Sequence, residues 1–288
     1  MSTKIVLGVI GGSGLYNFEG LKNQQSIEID TPFGKPSAPV VIGELNGRHV
    51  AFLARHGLGH TITPSEVNYR ANIYALKSLG IQKVISVSAC GSLREDYAPG
   101  DIIIPDQIFD FTHKRQRSFF DQGIVSHISV AEPFCKKLSA QLKDSLGNEH
   151  VKVHMGGTYI AIEGPRFSTK AESHLYRAWG MSIIGMTAAP EVFLAREAEL
   201  CYATMAHITD YDVWHETVEP VTIEMVVKTL LNNTAVAQKS IINLVESLTE
   251  DDDCECHQSL KNSIVTNPAL IPEKTRENLD ILVNKYLG

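Results

Sequence analysis

Short apolar runs alternate along this chain with longer amphipathic stretches, and turn residues mark most of the junctions. Lys4 to Ile10 is almost wholly apolar and stops at Gly11-Gly12-Ser13-Gly14, the pattern of a buried strand ending in a tight turn. Val40-Val41-Ile42 and Val50 to Ala54 flank Asn46-Gly47, a pair that accepts the positive φ angles of a type I′ turn. That hairpin makes the expected sheet mixed. Residues 65–79, after Pro64, carry a helical period that ends at Gly80, and Lys83 to Val87 reads as a buried strand. Beyond the Pro99-Gly100 turn the spacing predicts a strand at 101–104, a helix at 133–147, strands at 158–162 and 182–184, a helix at 190–200 and a strand from Cys201. Residues 222–248 form a long amphipathic pattern with Val226, Val227, Leu230, Leu231, Ala237, Ile241 and Val245 on one stripe. The order specifies an α/β protein: a three-layer αβα domain with a mixed, largely buried sheet. Periodicity stops and acidity rises near 249–257, so 1–249 reads as the main domain and 250–288 as an extension packed on it.

Composition narrows the partners. With 288 residues, of which 43% are hydrophobic, the chain can bury a sizeable core. Its net charge of -7 argues against nucleic acid or an anionic membrane, so any bound anion has to be captured by local geometry. Met1-Ser2-Thr3-Lys4 runs straight into the first strand without a secretory apolar core, and no apolar run approaches the ~20 residues of a membrane span. A cytoplasmic protein is expected.

Of five cysteines, Cys90, Cys135 and Cys201 sit in apolar or small-residue contexts and read as buried structural thiols. Cys254 and Cys256 follow the acidic run Glu250-Asp251-Asp252-Asp253. With His257 they fall one ligand short of a tetrahedral zinc set. Exposed thiols in a solvated linker are therefore expected, with a strained local disulfide as the weaker reading and no metal site.

The candidate chemistry lies where strands end. Asp210-Tyr211-Asp212 closes the apolar run from Cys201; in an extended chain, residues i and i+2 share a face, so both acids would aim at one object. Close carboxylates repel and burial disfavours charge, so one of them can hold its proton well above the ~3.9 of a free Asp. A protonated acid beside an ionised one donates to one atom and accepts from the next, which suits purine N7 and a 6-amino group. Taken alone, the pair is more often a solvated turn. Other strand ends carry Gly11-Gly12-Ser13-Gly14, Arg55-His56-Gly57, Ser88-Ala89-Cys90-Gly91-Ser92 and Met186-Thr187, an Arg, a His and hydroxyls able to cradle phosphate. Each has a plainer reading: a tight turn for the glycines, a structural ion pair for Arg55, helix caps for Ser88 and Thr187. A dinucleotide site fails because Asn17 replaces the third small residue and residues 18–26 lack a helical pattern; no Gly-Lys-Ser/Thr follows for a P-loop.

Together with Asp30-Thr31-Pro32-Phe33-Gly34-Lys35-Pro36-Ser37 and Glu163-Gly164-Pro165-Arg166-Phe167-Ser168, these segments resemble the trimeric-class purine nucleoside phosphorylases. Within that group the chain is most similar to the branch acting on 5′-methylthioadenosine, over residues 4 to about 272. The resemblance implies phosphate binding by Ser13, Arg55, His56, Ser88, the amide of Ala89 and Thr187. It implies Met186 beneath the ribose, Phe167 against the purine, Asp210 at N7 as the catalytic acid and Asp212 at the 6-amino group. His60, Ser168, Val221, Ile223 and Val227 fall where the family shapes its base and 5′-substituent pockets. His127 and Leu270 match positions that come from a neighbouring subunit, which implies a homotrimer, with pairing of trimers left open. Inorganic phosphate is then a co-substrate and no cofactor is needed. A 6-oxopurine nucleoside phosphorylase is the nearest alternative, and a catalytically silent nucleoside-binding protein a more distant one.

Overall fold

Strand β1 (Ile5–Gly11) runs parallel to both β4 (Arg48–Ala54) and β5 (Lys83–Ser92), because its residues are apolar on both faces and only a covered position satisfies them. The computed structural model describes residues 4–11, 18, 20–147, 151–215, 223–249 and 253–287, without the side chains of 223–233. Two further strands extend one side of the sheet, β2 (Lys22–Ile27) and β3 (Val40–Leu45). On the other side come β6 (Ile102–Ile104), β7 (Gln107–Phe111), β8 (Val153–Met155), β9 (Thr158–Ile162), β10 (Ile183–Gly185) and β11 (Cys201–Asp210). The order is β2-β3-β4-β1-β5-β10-β9-β7, with β11 branching from β5 and carrying β6 and β8. The sheet is mixed, as the Asn46-Gly47 turn predicts; both residues have positive φ, 49° and 76°.

Helices α1 (Tyr69–Ser78), α2 (Lys136–Ser145), α3 (Lys170–Ala178), α4 (Ala188–Glu197), α5 (Ile223–Ser247), α6 (Glu273–Asn278) and α7 (Asp280–Leu287) complete the layers. Along β11 the pleat divides the core: Cys201, Ala203 and Met205 pack with Leu138 and Leu142 of α2 and Ile241 and Val245 of α5. Tyr202 points the other way, among Ile73 and Leu76 of α1 and Val192 and Leu194 of α4. The three-layer αβα reading is correct.

Several boundaries differ from expectation for local reasons. The helix expected from residue 65 starts at Tyr69, where the Asn68 side chain accepts from the Ala71 N–H at 3.1 Å. β5 runs on to Ser92 because β11 pairs with it as far as Gly91. β2 carries Lys-Asn-Gln-Gln-Ser-Ile with no apolar face, so no period announced it, and it exists by pairing with β3. α3 has a full capping box between Thr169 and Glu172, a signal present in the sequence but not read.

The extension is part of the same core: Leu260, Ile271, Leu279, Leu282 and Val283 pack with the α1 and α4 layer. The expectation for Cys254 and Cys256 is overturned here. Cys256 is buried, Cys254 is half-buried, and the Cys254 sulfur lies 3.6 Å from that of Cys135. Sequence alone did not reveal that chain segments more than a hundred residues apart meet at this point.

Candidate active site

A fork in the sheet opens the site. β11 lines one edge of β5 from Lys83 to Gly91; on the other edge β1 pairs through Ser86, and β10 starts pairing at Gly91. Between those points no described strand covers that second edge of β5, and Ser88, Ala89 and Cys90 lie there. Divergence of neighbouring strands is where open α/β sheets hold ligands.

Arg55 leaves the end of β4 and is 1% exposed. Its Nε and Nη2 donate to the two carboxylate oxygens of Glu191 at 2.9 and 3.0 Å, Nη2 also to Ser86 Oγ at 2.6 Å, and Nη1 to the Val87 carbonyl at 3.2 Å. Burial works against the guanidinium charge, but Glu191 outweighs it and keeps the pKa above its ordinary value. The structural ion pair weighed from the sequence is therefore present, and of five N–H groups one on Nη1 remains for another acceptor. Glu191, itself fully buried and bonded by the Tyr202 hydroxyl at 2.7 Å, was not singled out from the sequence.

His56 faces the same region. Its Nδ1 bonds the Ile62 carbonyl at 2.9 Å, which assigns the proton to Nδ1 and leaves Nε2 as an acceptor. Burial, then the Arg55 charge, push its pKa down to about 4. His60 stacks on the His56 ring, centroids 4.4 Å apart.

Ser88 Oγ and Thr187 Oγ1 lie 3.1 Å apart, both buried, one from β5 and one from the residue before α4. Thr187 holds the N-cap position of α4, but its side chain makes no capping bond. The cap reading of Thr187 is thus excluded, and its hydroxyl turns to Ser88 instead. Met186, just before it, is half-buried.

Asp210 ends β11, buried, with Oδ2 accepting from the Thr209 hydroxyl at 2.6 Å and Oδ1 from the Asp212 N–H at 2.7 Å. Asp212 does not continue the strand. It opens a 3-10 turn, Asp212–Trp214, with φ of 51°, after a register shift between Ile208 and Asp210. The two acids converge through this tight turn rather than through strand alternation. Both stand around Gly91: a Cβ there would lie 3.0 Å from Asp210 Oδ1 and 3.3 Å from Asp212 Cβ, so a side chain there would press on both acids. Burial raises the pKa of Asp210, opposed by Thr209 and the Asp212 amide. Burial also raises Asp212, opposed by the Ser173 hydroxyl and reinforced by the Asp210 charge. Desolvation, rather than repulsion from Asp212, is what lifts Asp210. Asp212 Oδ2 and Ser168 Oγ are buried with no described partner.

A third wall is built around Arg115, which sequence reading passed over because His113-Lys114-Arg115-Gln116-Arg117 looks like any solvated basic run. Arg115 is 6% exposed and donates to the carbonyls of Met186 at 2.7 Å, Ala189 at 2.5 Å and Glu163 at 2.9 Å. It thereby ties the end of β9 to the Met186 segment. The Glu163 carboxylate accepts from Ser65, from the His113 N–H and from the Lys114 N–H at 3.1 Å; against the pull of burial, these bonds hold its pKa down at about 2. Gly164, with φ of 66°, lets the chain pass over Met186, where a Cβ would fall 2.6 Å from the sulfur. Phe167 follows with 43% of its surface exposed.

The remaining nominated residues are placed unevenly. Ser13 and Val221 lie outside the described residues, and Ile223 and Val227 are placed on α5 by backbone only. The His127 N–H donates to the Ser263 carbonyl at 2.9 Å, and Leu270, 75% exposed, is the last residue of the 3-10 turn Pro268–Leu270.

Among the described residues, no helix is long and apolar enough to cross a membrane. The sequence matches the phosphorylase superfamily over residues 6–249. It is 50% identical to S-methyl-5′-thioadenosine phosphorylase of Geobacter sulfurreducens over 283 residues, covering 98% of this chain and 99% of that one. Identity to the Chloroflexus aurantiacus protein of the same name is 51%, over 97% and 98% of the two chains. Of solved structures, a methylthioadenosine phosphorylase from an antarctic soil metagenomic library superposes with a TM-score of 0.93 at 44% identity, covering 98% of this chain and 100% of that one. The Schistosoma mansoni methylthioadenosine phosphorylase in complex with adenine gives 0.82 at 34% identity, with 98% of each covered. Likeness of this extent settles the relationship: the chain belongs to the phosphorylase superfamily, together with the S-methyl-5′-thioadenosine phosphorylases.

Proposed function

We propose that this enzyme cleaves 5′-methylthioadenosine with inorganic phosphate, giving adenine and 5-methylthioribose 1-phosphate. The observation that carries the reading is the convergence of Asp210 and Asp212 on Gly91, at the same fork that holds Ser88 and Thr187. The C1′–N9 bond breaks as a phosphate oxygen bonds to C1′, and the electron pair of that bond moves onto the purine. Asp210, whose pKa burial raises, donates in its protonated form to N7 and neutralises the charge that develops there. Asp212 Oδ2 accepts from the 6-amino group, which satisfies its buried lone pairs.

Phosphate sits between the Ser88 and Thr187 hydroxyls, the Ala89 amide, the remaining Arg55 N–H and His56, with Ser13 completing the set. Neutral His56 accepts at Nε2 from a phosphate hydroxyl. Met186 lies beneath the ribose and Phe167 along the base. Ser168, His60, Val221, Ile223 and Val227 shape the base and 5′ pockets, whose apolar members suit a thioether. A trimer in which His127 and Leu270 close the neighbour's 5′ pocket accounts for a leucine left 75% exposed. The chemistry needs no cofactor.

The test is free-base release from methylthioadenosine, adenosine and methylthioinosine, each with and without phosphate. Phosphate-dependent release, fastest with methylthioadenosine, is expected. Release without phosphate would make the enzyme a hydrolase, and turnover of methylthioinosine alone would overturn the role of the two acids.

A further inference from the structure

Outside the catalytic fork, four of the five cysteines meet. The sulfurs of Cys135, Cys201, Cys254 and Cys256 all lie within 4.8 Å of one another. They come from three separate parts of the chain: the N-cap of α2, the first residue of β11, and the start of the 3-10 turn Glu255–Gln258. Sulfurs at about 2.3 Å from one tetrahedral zinc ion stand about 3.8 Å apart. The cluster is within about an ångström of that closed geometry throughout, and Cys135 and Cys254 already stand at 3.6 Å.

We propose that these four cysteines form a structural zinc site, Cys₄, that clamps the C-terminal extension to the sheet. Three observations carry this beyond the bare clustering. The donors around the sulfurs are those a tetrathiolate needs to offset its excess negative charge: Leu138 N–H to Cys135 at 3.4 Å and Arg196 Nη1 to Cys256 at 3.1 Å, with His257 Nε2 at 3.5 Å from Cys201. The Cys254-Glu255-Cys256 segment is folded into a turn, with the His257 N–H on the Cys254 carbonyl at 3.0 Å and the Ser259 N–H on that of Cys256 at 3.3 Å, so both thiols face inward. Four sulfurs in mutual reach, all of them free thiols, make one tetrahedral set rather than two separate bridges. An all-thiolate tetrahedron selects zinc over the harder divalent ions.

The wild-type protein, produced with zinc in the medium and purified under a phosphine reductant, is assayed for metal by elemental analysis. One zinc per chain is expected, falling to none in Cys254→Ser/Cys256→Ser. Replacement by cobalt should give the thiolate charge-transfer and visible bands of tetrahedral cobalt, a readout that needs no variant to fold. A strong chelator should lower the Tm of the wild type. Reduced protein that holds no zinc and takes up no cobalt would overturn the proposal, and so would protein isolated without reductant that carries two disulfides and no zinc. Stoichiometric iron in place of zinc would overturn the choice of ion.

Discussion

The main-chain N–H of Asp212 donates to Oδ1 of Asp210 at 2.7 Å, so the turn that carries the second acid also orients the first. The bond favours the ionised form of Asp210 while burial favours the protonated one, and burial wins. Asp210 therefore keeps its proton to a higher pH than a free carboxyl, and the proposed proton donation to the purine should be lost as pH rises through that raised pKa. Replacing Asp210 by Asn should lower kcat for methylthioadenosine on the order of a hundredfold or more, affect methylthioinosine far less, and abolish the alkaline fall in kcat. Equal losses on both nucleosides across the pH range would remove Asp210 from the donor role.

Thr187→Val removes one hydroxyl with little change in shape. A hydrogen bond to a charged group contributes about 1.5–3 kcal/mol, so KM for phosphate should rise roughly ten- to a hundredfold while KM for the nucleoside stays nearly unchanged. Ser88→Ala should act in the same direction. Initial-rate kinetics varying each substrate in turn separate the two constants, and a rise confined to the nucleoside would place these hydroxyls elsewhere.

Glu191→Ala leaves the Arg55 guanidinium buried without its counter-charge. Breaking a buried pair in this way costs about 3–5 kcal/mol, which urea unfolding should register as a lower midpoint at unchanged slope. The surviving folded fraction should bind phosphate more weakly, because nothing then fixes the direction of Arg55.

His207, on β11, is 1% exposed, and no described residue bonds either ring nitrogen. Burial alone lowers its pKa from 6.5 to about 4. A depressed histidine pKa means that the unfolded chain takes up the proton first, so stability is intact above 6.5 and is lost as pH falls toward 4. Over that window the loss is roughly 3 kcal/mol. His207→Leu should be less sensitive to acid than the wild type, measured as urea midpoints above and within the window; parallel curves would contradict this.

His127→Ala should raise KM for methylthioadenosine more than for phosphate, and Leu270→Glu should split the oligomer in size-exclusion chromatography with light scattering. An unchanged KM together with an unchanged mass would refute the shared-subunit pocket.

Much of the fold was legible because its signals are local. Asn46-Gly47 specifies a hairpin by backbone angle alone, and the run from Cys201 is apolar on both faces. The acids could be nominated for the same reason, although the route by which Asp212 joins Asp210 could not, since a positive φ at Asp212 breaks the alternation on which the argument stood. Arg55 was visible as a cation at a strand end; its pairing with Glu191, 136 positions away, was not. Arg115 escaped because buried and solvated arginines look identical until the carbonyls around them are known. Cys254 and Cys256 were misread because two of their neighbours belong to other parts of the chain.

Strand β5 meets β1, β10 and β11, so its partners are spread from Gly8 to Asp210. A nascent chain therefore carries Arg55 and Ser88 long before the strand bearing Asp210 has been synthesised. Until then the central strand lacks a whole edge, and an uncovered edge pairs readily with other chains. Long-range pairing of this kind also makes refolding slow. Productive folding of this enzyme should depend on keeping incomplete chains apart, and a fragment ending before β11 leaves that edge of β5 without its partner.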